Sequence, residues 1–298
     1  MRIAVTGRTG QLAQALRERG ERAGVDVVSV SRPELDLAEA GALAELFRAI
    51  RPDAIVNAAA HTAVDKAESE PEVARAVNAE GARTVAEAAR ELGVPVVQMS
   101  TDYVFAGTRD RPYREDDRTG PRSVYGATKL EGEEAVAATT PDHMIVRTSW
   151  VYSPFGHNFV RTMLRLGAER DEVAVVADQI GAPTSALDLA DGILAACANL
   201  VAWPDETALR GIFHLTAAGE ASWAEVAEAT FSAAAALGGP TARVRRIATA
   251  DNPRPAERPA NSRLDTSKIA TAHGIRLPDW HASLEACVAR ILKEGETR

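Results

Sequence analysis

The sequence predicts an α/β protein, a doubly wound parallel sheet joined to a smaller, irregular α+β portion. Three observations predict it. Short, nearly continuous apolar runs alternate with longer amphipathic ones through the first 150 residues, as expected of strands buried on both faces by helices. A glycine-containing turn, "VTGRTGQLA" (5–13), links the first such run to the first helix. Beyond residue 150 the alternation gives way to helices separated by short strands.

In chain order, strands are expected at 2–6, 26–30, 54–58, 94–100 and 143–149, with helices at 10–20, 39–50, 71–92 and 122–138. Pro71 suits the first turn of its helix, with Ser69 as the cap, and Gly93 closes that helix before Val94-Pro95 opens the next strand. Later helices are expected at 157–169, 185–200, 222–237 and 281–293, and strands at 173–176, 211–215 and 243–247. "NPRPAERPANSR" (252–263) reads as an ordered loop without regular structure, because its prolines interrupt any ladder. The expected division is a dinucleotide-binding domain of Rossmann type over 1–150. Residues 151–298 are mainly substrate-binding, with some segments returning to the first domain.

At 298 residues, 46% apolar and 26% charged, the composition is that of a globular protein. A net charge of −8 leaves no basic excess for nucleic acid or an acidic membrane, so an anionic ligand has to meet local arginines. No apolar run is long enough to span a bilayer, and "RIAVTG" begins at residue 2, so a cytoplasmic location is expected. Cys197 and Cys287 are too few for a disulfide framework and read as buried free thiols. The six histidines are scattered without metal-ligand spacing.

The glycine turn reads as a phosphate cradle. Gly7 permits the tight turn, Gly10 lets the backbone approach a pyrophosphate, and Ala13 takes the helix-packing position. The helix start adds amide donors and a positive dipole end. An NAD-selective site wants a carboxylate at the end of the second strand, but "VSVSRPELDL" offers Ser31 and Arg32. An arginine suits a 2′-phosphate, so NADPH is favoured over NADH, with Arg8 able to assist. An exposed loop arginine is the competing reading of Arg32. Asp36 and Leu37 fall on the adenine side, and "NAAA" (57–60) ends the third strand beside the middle of the cofactor.

"SVYGATKLEGEEAV" (123–136) holds Tyr125 and Lys129 one helical turn apart, on one face. With four tyrosines and four lysines in the chain, a Tyr-x-x-x-Lys arises by chance about 5% of the time. Spacing alone therefore does not decide between a solvated pair and a proton donor with its tuning cation. The preceding strand decides, because "QMSTDYVF" (98–105) brings hydroxyls to the carboxyl edge of the sheet, where ligands of open α/β sheets bind. A lysine ammonium and an oxidised nicotinamide would lower the phenol from its usual ~10. Thr101, rather than Ser100, is expected to hold the same substrate oxygen.

Together "TGRTGQLA", "NAAAHTAVDKAESEPEVARAVN", "STDYVFAG", "VYGATKLEGE", "RTSWVY", "NFVRTMLRL", "DQIGAPT" and "RPANSRLDTSK" resemble the dTDP-4-dehydrorhamnose reductase family. This is the sugar-nucleotide reductase branch of the extended short-chain dehydrogenase/reductases. The resemblance implies reduction of the C4 ketone of a dTDP-4-keto-6-deoxy sugar. It makes Tyr125 the proton donor and Lys129 its cofactor-bound partner, and sets Thr101 and Asp102 against the sugar with Trp150 beside it. Gly10, Gln11 and Leu12 would line the cofactor phosphates, Asp36 and Leu37 the adenine, and Ala58, Ala59 and Ala60 the crevice. Arg258 and Arg263 are suited to neutralise the diphosphate. Asn158 reads as a helix cap in preference to a substrate contact. Val64, Asp65 and Glu68 either approach the sugar or lie on a solvated loop.

Some relatives carry metal-holding carboxylates where this chain has Ala15 and Leu187, so no metal is expected. A 4,6-dehydratase on this fold needs a glutamate beside the aspartate, and Asp102 is followed by Tyr103. A 4-epimerase, a reductase of a related dTDP-deoxysugar such as dihydrostreptose, and a non-catalytic NADP-binding regulatory subunit are the other readings. A homodimer is weakly favoured.

Overall fold

A computed structural model describes residues 1–31 and 43–296. The first half runs β1 (Arg2–Thr6), α1 (Gln11–Ala23), β2 (Asp26–Val30), α2 (Leu43–Ile50), β3 (Ala54–Asn57), α3 (Val64–Ser69) and α4 (Pro71–Arg75). It continues through α5 (Gly81–Leu92), β4 (Val96–Thr101), α6 (Val124–Thr139) and β5 (His143–Thr148). The second half holds β6 (Val151–Tyr152), α7 (Phe159–Glu169), β7 (Glu172–Val176), β8 (Ile180–Gly181), β9 (Thr184–Ser185) and α8 (Ala186–Ala202). It ends with β10 (Gly211–His214), β11 (Ala221–Ser222), α9 (Trp223–Ala235), β12 (Arg243–Ile247), β13 (Asn261–Ser262), α10 (Ser267–Ala272) and α11 (Trp280–Glu296).

Six strands form one parallel sheet in the order β10-β5-β4-β3-β1-β2. The fold class read from the sequence is the one observed. Alternation along the strands explains their continuous apolar character. Ile3 and Val5 enter one core with Leu16, Leu189 and Ile193, while Ala4 enters the opposite core with Phe47, Val85 and Val136. Because β2 and β3 flank β1 on opposite sides, the chain reverses its winding there and leaves a crevice beyond the carboxyl ends of β1 and β3. β10 returns to the sheet edge beside β5. Smaller sheets, β11-β8-β13, β12-β7 and β6-β9, lie outside it.

Several local expectations need correction. Ser69 donates its hydroxyl to the Lys66 carbonyl, and the residue capping α4 is Glu70. The proline-rich segment is not wholly irregular: past Pro259, Asn261 and Ser262 pair with β8, where the Ile180 amide donates to the Ala260 carbonyl (2.8 Å). Residues 71–92 are helical as expected but contain a π turn at Ala76–Glu80. Asn158 caps α7 by accepting the Arg161 amide, as read from the sequence. Both cysteines are buried, and burial pushes each thiol up to about 12. Among the described residues no helix is long and apolar enough to cross a membrane.

Helix α6 lies close against its neighbours, and two glycines make that approach possible. A Cβ on Gly126 would stand 2.2 Å from the Tyr103 carbonyl oxygen, and one on Gly132 would stand 2.2 Å from the oxygen of Asn78 in the π turn. Gly132→Ala should therefore destabilise the protein by about 1–3 kcal/mol. Gly295→Ala, which meets nothing within 4 Å, should leave stability unchanged or slightly raised. Urea unfolding of the two variants checks the contrast.

Candidate active site

The crevice is held by a chain of side-chain hydrogen bonds across three strands. Thr6 Oγ1 donates to Asn57 Oδ1 (2.5 Å) and accepts the Ala59 amide (3.2 Å). Asn57 Nδ2 donates to Gln98 Oε1 (2.7 Å), and Gln98 Nε2 to the Met99 carbonyl (2.8 Å). The network fixes the half-buried Ala58, Ala59 and Ala60 beside the glycine turn. Gly7 has φ +97°, a conformation open to glycine, and its amide donates to the Val30 carbonyl (2.7 Å). Gly10 caps α1, and a Cβ there would meet nothing within 4 Å. This empty approach to a helix start fits a phosphate.

Gln11 reaches away from the turn: its Oε1 accepts from Ser153 Oγ (2.8 Å) and Asn158 Nδ2 (3.0 Å). The side chain of Leu12 packs on the first core. Arg32, Asp36 and Leu37 lie outside the described residues.

At the end of β4, successive side chains face opposite ways. Ser100 donates to Glu133 Oε1 beneath α6. Thr101 donates to Asp102 Oδ1 (3.0 Å), accepts the Tyr103 amide (3.2 Å) and interacts with the Tyr125 phenol. Tyr125 sits in the first turn of α6, whose start is fixed twice. Ser123 accepts the Gly126 amide (3.1 Å), and Glu68 of α3 accepts that of Val124 (2.8 Å). The rings of Tyr103 and Tyr125 meet edge to face at 5.5 Å. Lys129, one turn on and buried, donates Nζ to the Met99 carbonyl at 2.6 Å.

Burial dominates the ionisation of this cluster. The Tyr125 phenol is pushed up to about 12 by burial, with the Asp102 charge adding and the Thr101 hydroxyl opposing. The lowering read from the sequence combines the Lys129 ammonium with an oxidised nicotinamide; in the chain by itself burial sets the phenol. Lys129 is brought down to about 8 by burial, with Glu133 opposing. Asp102 rises to about 6 by burial, against hydrogen bonds from Ser262 and Thr101, and its Oδ2 has no partner.

The facing wall comes from the second half of the chain. Trp150 has φ +51° and stacks on Trp223 at 3.8 Å, while Trp223 also meets Phe159 at 4.6 Å. A Cβ on Gly181 would stand 2.5 Å from the Trp150 ring, so only glycine fits beneath it. Gly181 pairs with Ser262, whose hydroxyl is close enough to oppose the rise of Asp102, so wall and floor adjoin.

The two arginines read as diphosphate ligands both have protein partners. Arg258 pairs with Asp65 of α3 (2.8 Å), and Arg263 pairs with Glu220 (3.2 Å) and donates to the Asp110 carbonyl (2.6 Å). Asp65 and Glu68 stand on a helix rather than a loop and serve α3's contacts with the proline-rich segment and with α6; Val64 begins that helix, half-buried. Thr101, Asp102, Tyr125 and Lys129 are brought together. Ser262, Trp223, Glu133 and Arg147 belong to their surroundings and were not read as site residues. For Arg147 a signal existed, since a charge inside an apolar strand needs a partner. For Ser262 there was none. Among the described residues no group of three or more His, Cys, Asp or Glu side chains gathers to hold a metal.

A family model described as RmlD substrate binding domain matches residues 1–293. The chain is 51% identical over 296 residues to a dTDP-4-dehydrorhamnose reductase of Sinorhizobium fredii, covering 99% of each. Among solved structures it resembles a dTDP-4-dehydrorhamnose reductase of Clostridium acetobutylicum, with TM-score 0.89 and 38% identity over 98% of this chain and 100% of that one. It also resembles one of Bacillus anthracis solved in complex with NADP, with TM-score 0.88 and 36% identity over 97% and 99% of the two chains.

The raised Asp102 has a consequence for stability. A carboxyl moved from 3.8 to about 6 on folding favours the fold below about pH 4, and that contribution is lost as pH rises through about 6. Asp102→Asn cannot ionise, so the stability of the variant relative to the parent should rise by about 1–3 kcal/mol between pH 4 and pH 7.5. Urea unfolding at the two pH values tests this. A pH-independent difference contradicts a buried charge at Asp102.

Proposed function

Because the chain belongs to the RmlD substrate-binding-domain family and is similar along its length to dTDP-4-dehydrorhamnose reductases, we propose that it reduces dTDP-4-dehydro-L-rhamnose to dTDP-L-rhamnose with NADPH. The observation that carries this reading is the meeting of Thr101, Tyr125 and Lys129 at the end of β4, beside an open glycine cradle.

The cradle residues suit a dinucleotide: Gly7 for the turn, Gly10 and the amides of Gln11 and Leu12 for the phosphates, and Ala58, Ala59 and Ala60 for the centre. The reduced nicotinamide supplies a hydride. NADPH is preferred because "VSVSRPELDL" carries Arg32 and no carboxylate at the expected place, and a relative was solved with NADP. Asp36 and Leu37 are assigned to the adenine side.

On the substrate, Tyr125 donates its proton to the C4 oxygen as negative charge develops there, and Thr101 orients the same oxygen. A phenol held near 12 is a weak acid, yet a secondary alkoxide is a stronger base than a phenolate, so the transfer runs downhill. It also keeps Tyr125 protonated at neutral pH, the state a reduction needs. Lys129 holds the cofactor and stabilises the phenolate left behind. Asp102 and Trp150 bound the sugar, while Arg258 and Arg263 face the diphosphate, with Arg258 exchanging Asp65 for it.

The test is an assay of the purified protein with dTDP-4-dehydro-L-rhamnose and with its epimers. One NADPH should be consumed per dTDP-L-rhamnose formed. Product formation without loss of absorbance at 340 nm contradicts a reductase, and turnover of another epimer alone moves the assignment to a related deoxysugar. Tyr125→Phe should lower kcat at least about tenfold with NADPH affinity nearly unchanged. Undiminished turnover removes this residue from the chemistry.

A further inference from the structure

Beneath Lys129 lies a buried charge pair that the reaction above does not use. Glu133, the next turn of α6 on the same face, is bound by Arg147 of β5 through three contacts, Nε to Oε1 (2.9 Å) and to Oε2 (3.2 Å) and Nη2 to Oε2 (2.6 Å). Both side chains are almost fully buried. Ser100 donates to the same carboxylate, and the Arg147 guanidinium stacks over the Phe105 ring at 4.9 Å. A buried pair of this kind is weak evidence for stability, because desolvation offsets most of its attraction and an apolar pair often does as well. Its retention directly below a buried ammonium needs another reason.

We propose that Glu133, clamped by Arg147 and Ser100, is a positioning residue for the reaction: the buried counter-charge that keeps Lys129 an ammonium, aimed at the cofactor. This rests on the reading of Lys129 as the cofactor-holding cation. Lys129 donates to the Met99 carbonyl, and among the described residues no carboxylate is hydrogen-bonded to it. The elements packed on α6 bring Asp65, Lys66 and Glu68 from α3, Glu72 and Arg75 from α4, Glu80 from the π turn and Arg83, Glu87, Arg90 and Glu91 from α5. They also bring Asp102 and Tyr103 from the turn after β4, and His143 and Arg147 from β5. Glu68 serves the start of α6, Arg75 pairs with Glu131, Arg83 pairs with Glu80 and Glu87, and Asp65 pairs with Arg258. Among the described residues, Glu133 is the charge that acts on Lys129 against its burial. Arg147 is the opposite charge that compensates this carboxylate inside the fold. Without Glu133, Lys129 would share its low-dielectric site with an uncompensated guanidinium, and both burial and like charge would drive it neutral.

The sequence makes the test direct, since the chain has only four lysines, Lys66, Lys129, Lys268 and Lys293. In protein labelled with ¹³C at lysine Cε, the Lys129 signal is assigned by its loss in Lys129→Met. In the parent it should titrate well below the other three. In Glu133→Gln its midpoint should fall by about one pH unit or more, and the alkaline limit of NADPH binding should fall with it. Glu133→Gln/Arg147→Gln replaces the ion pair by an amide pair and removes the repulsion too, so its midpoint should lie between those of the parent and the single variant. It also serves if the single variant does not fold. A midpoint unmoved in either variant overturns the proposal. Turnover retained by Tyr125→Phe overturns instead the reaction on which it rests, so the two failures are separable.

Discussion

One hydrogen bond organises the site: Lys129 Nζ to the Met99 carbonyl, which ties the second turn of α6 to the last residues of β4. A buried lysine loses its hydration and has to find acceptors within the protein. Here the acceptor is a backbone oxygen at the carboxyl edge of the sheet, so satisfying the lysine also fixes how far α6 slides along the strand. Gly126 and Gly132 allow the approach, each facing a carbonyl oxygen that a side chain would strike. Once that register is set, Tyr125 has to stand beside Thr101, because both lie one step toward the crevice from the bonded pair.

The same burial that assembles the cluster controls its charge. Tyr125 and Asp102 are pushed up and Lys129 is pushed down, so all three move toward their neutral forms. Perturbation in a common direction within one crevice is characteristic of a site that handles protons. Asp65 holds Arg258 at the edge of the proline-rich segment.

Much of this was legible in the sequence because it obeys local rules. Apolar strand runs, the αL glycine ending α5, the Asn158 cap and the Tyr-x-x-x-Lys spacing are each written within a few residues. What escaped was set by distant partners. Ser262 reaches Asp102 only because β13 pairs with β8, and that pairing follows prolines that obscured any strand. Trp223 stacks on Trp150 from a helix more than seventy residues away in sequence. The burial that raises Tyr125 in the chain by itself was not legible either, because it depends on how closely α6 packs on β4, where the ammonium bonds the Met99 carbonyl. Helix and strand ends moved by one to three residues where serine caps, such as Ser123 and Ser185, set the first turn.

The most direct measurement is a crystal structure of the protein with NADP and dTDP-L-rhamnose bound together. The Tyr125 hydroxyl should lie within hydrogen-bonding reach of the sugar O4, about 2.6–3.2 Å, with the Thr101 hydroxyl on the same oxygen and the nicotinamide C4 facing the carbon. A Tyr125 oxygen more than ~5 Å from O4, with no water between them, contradicts the account.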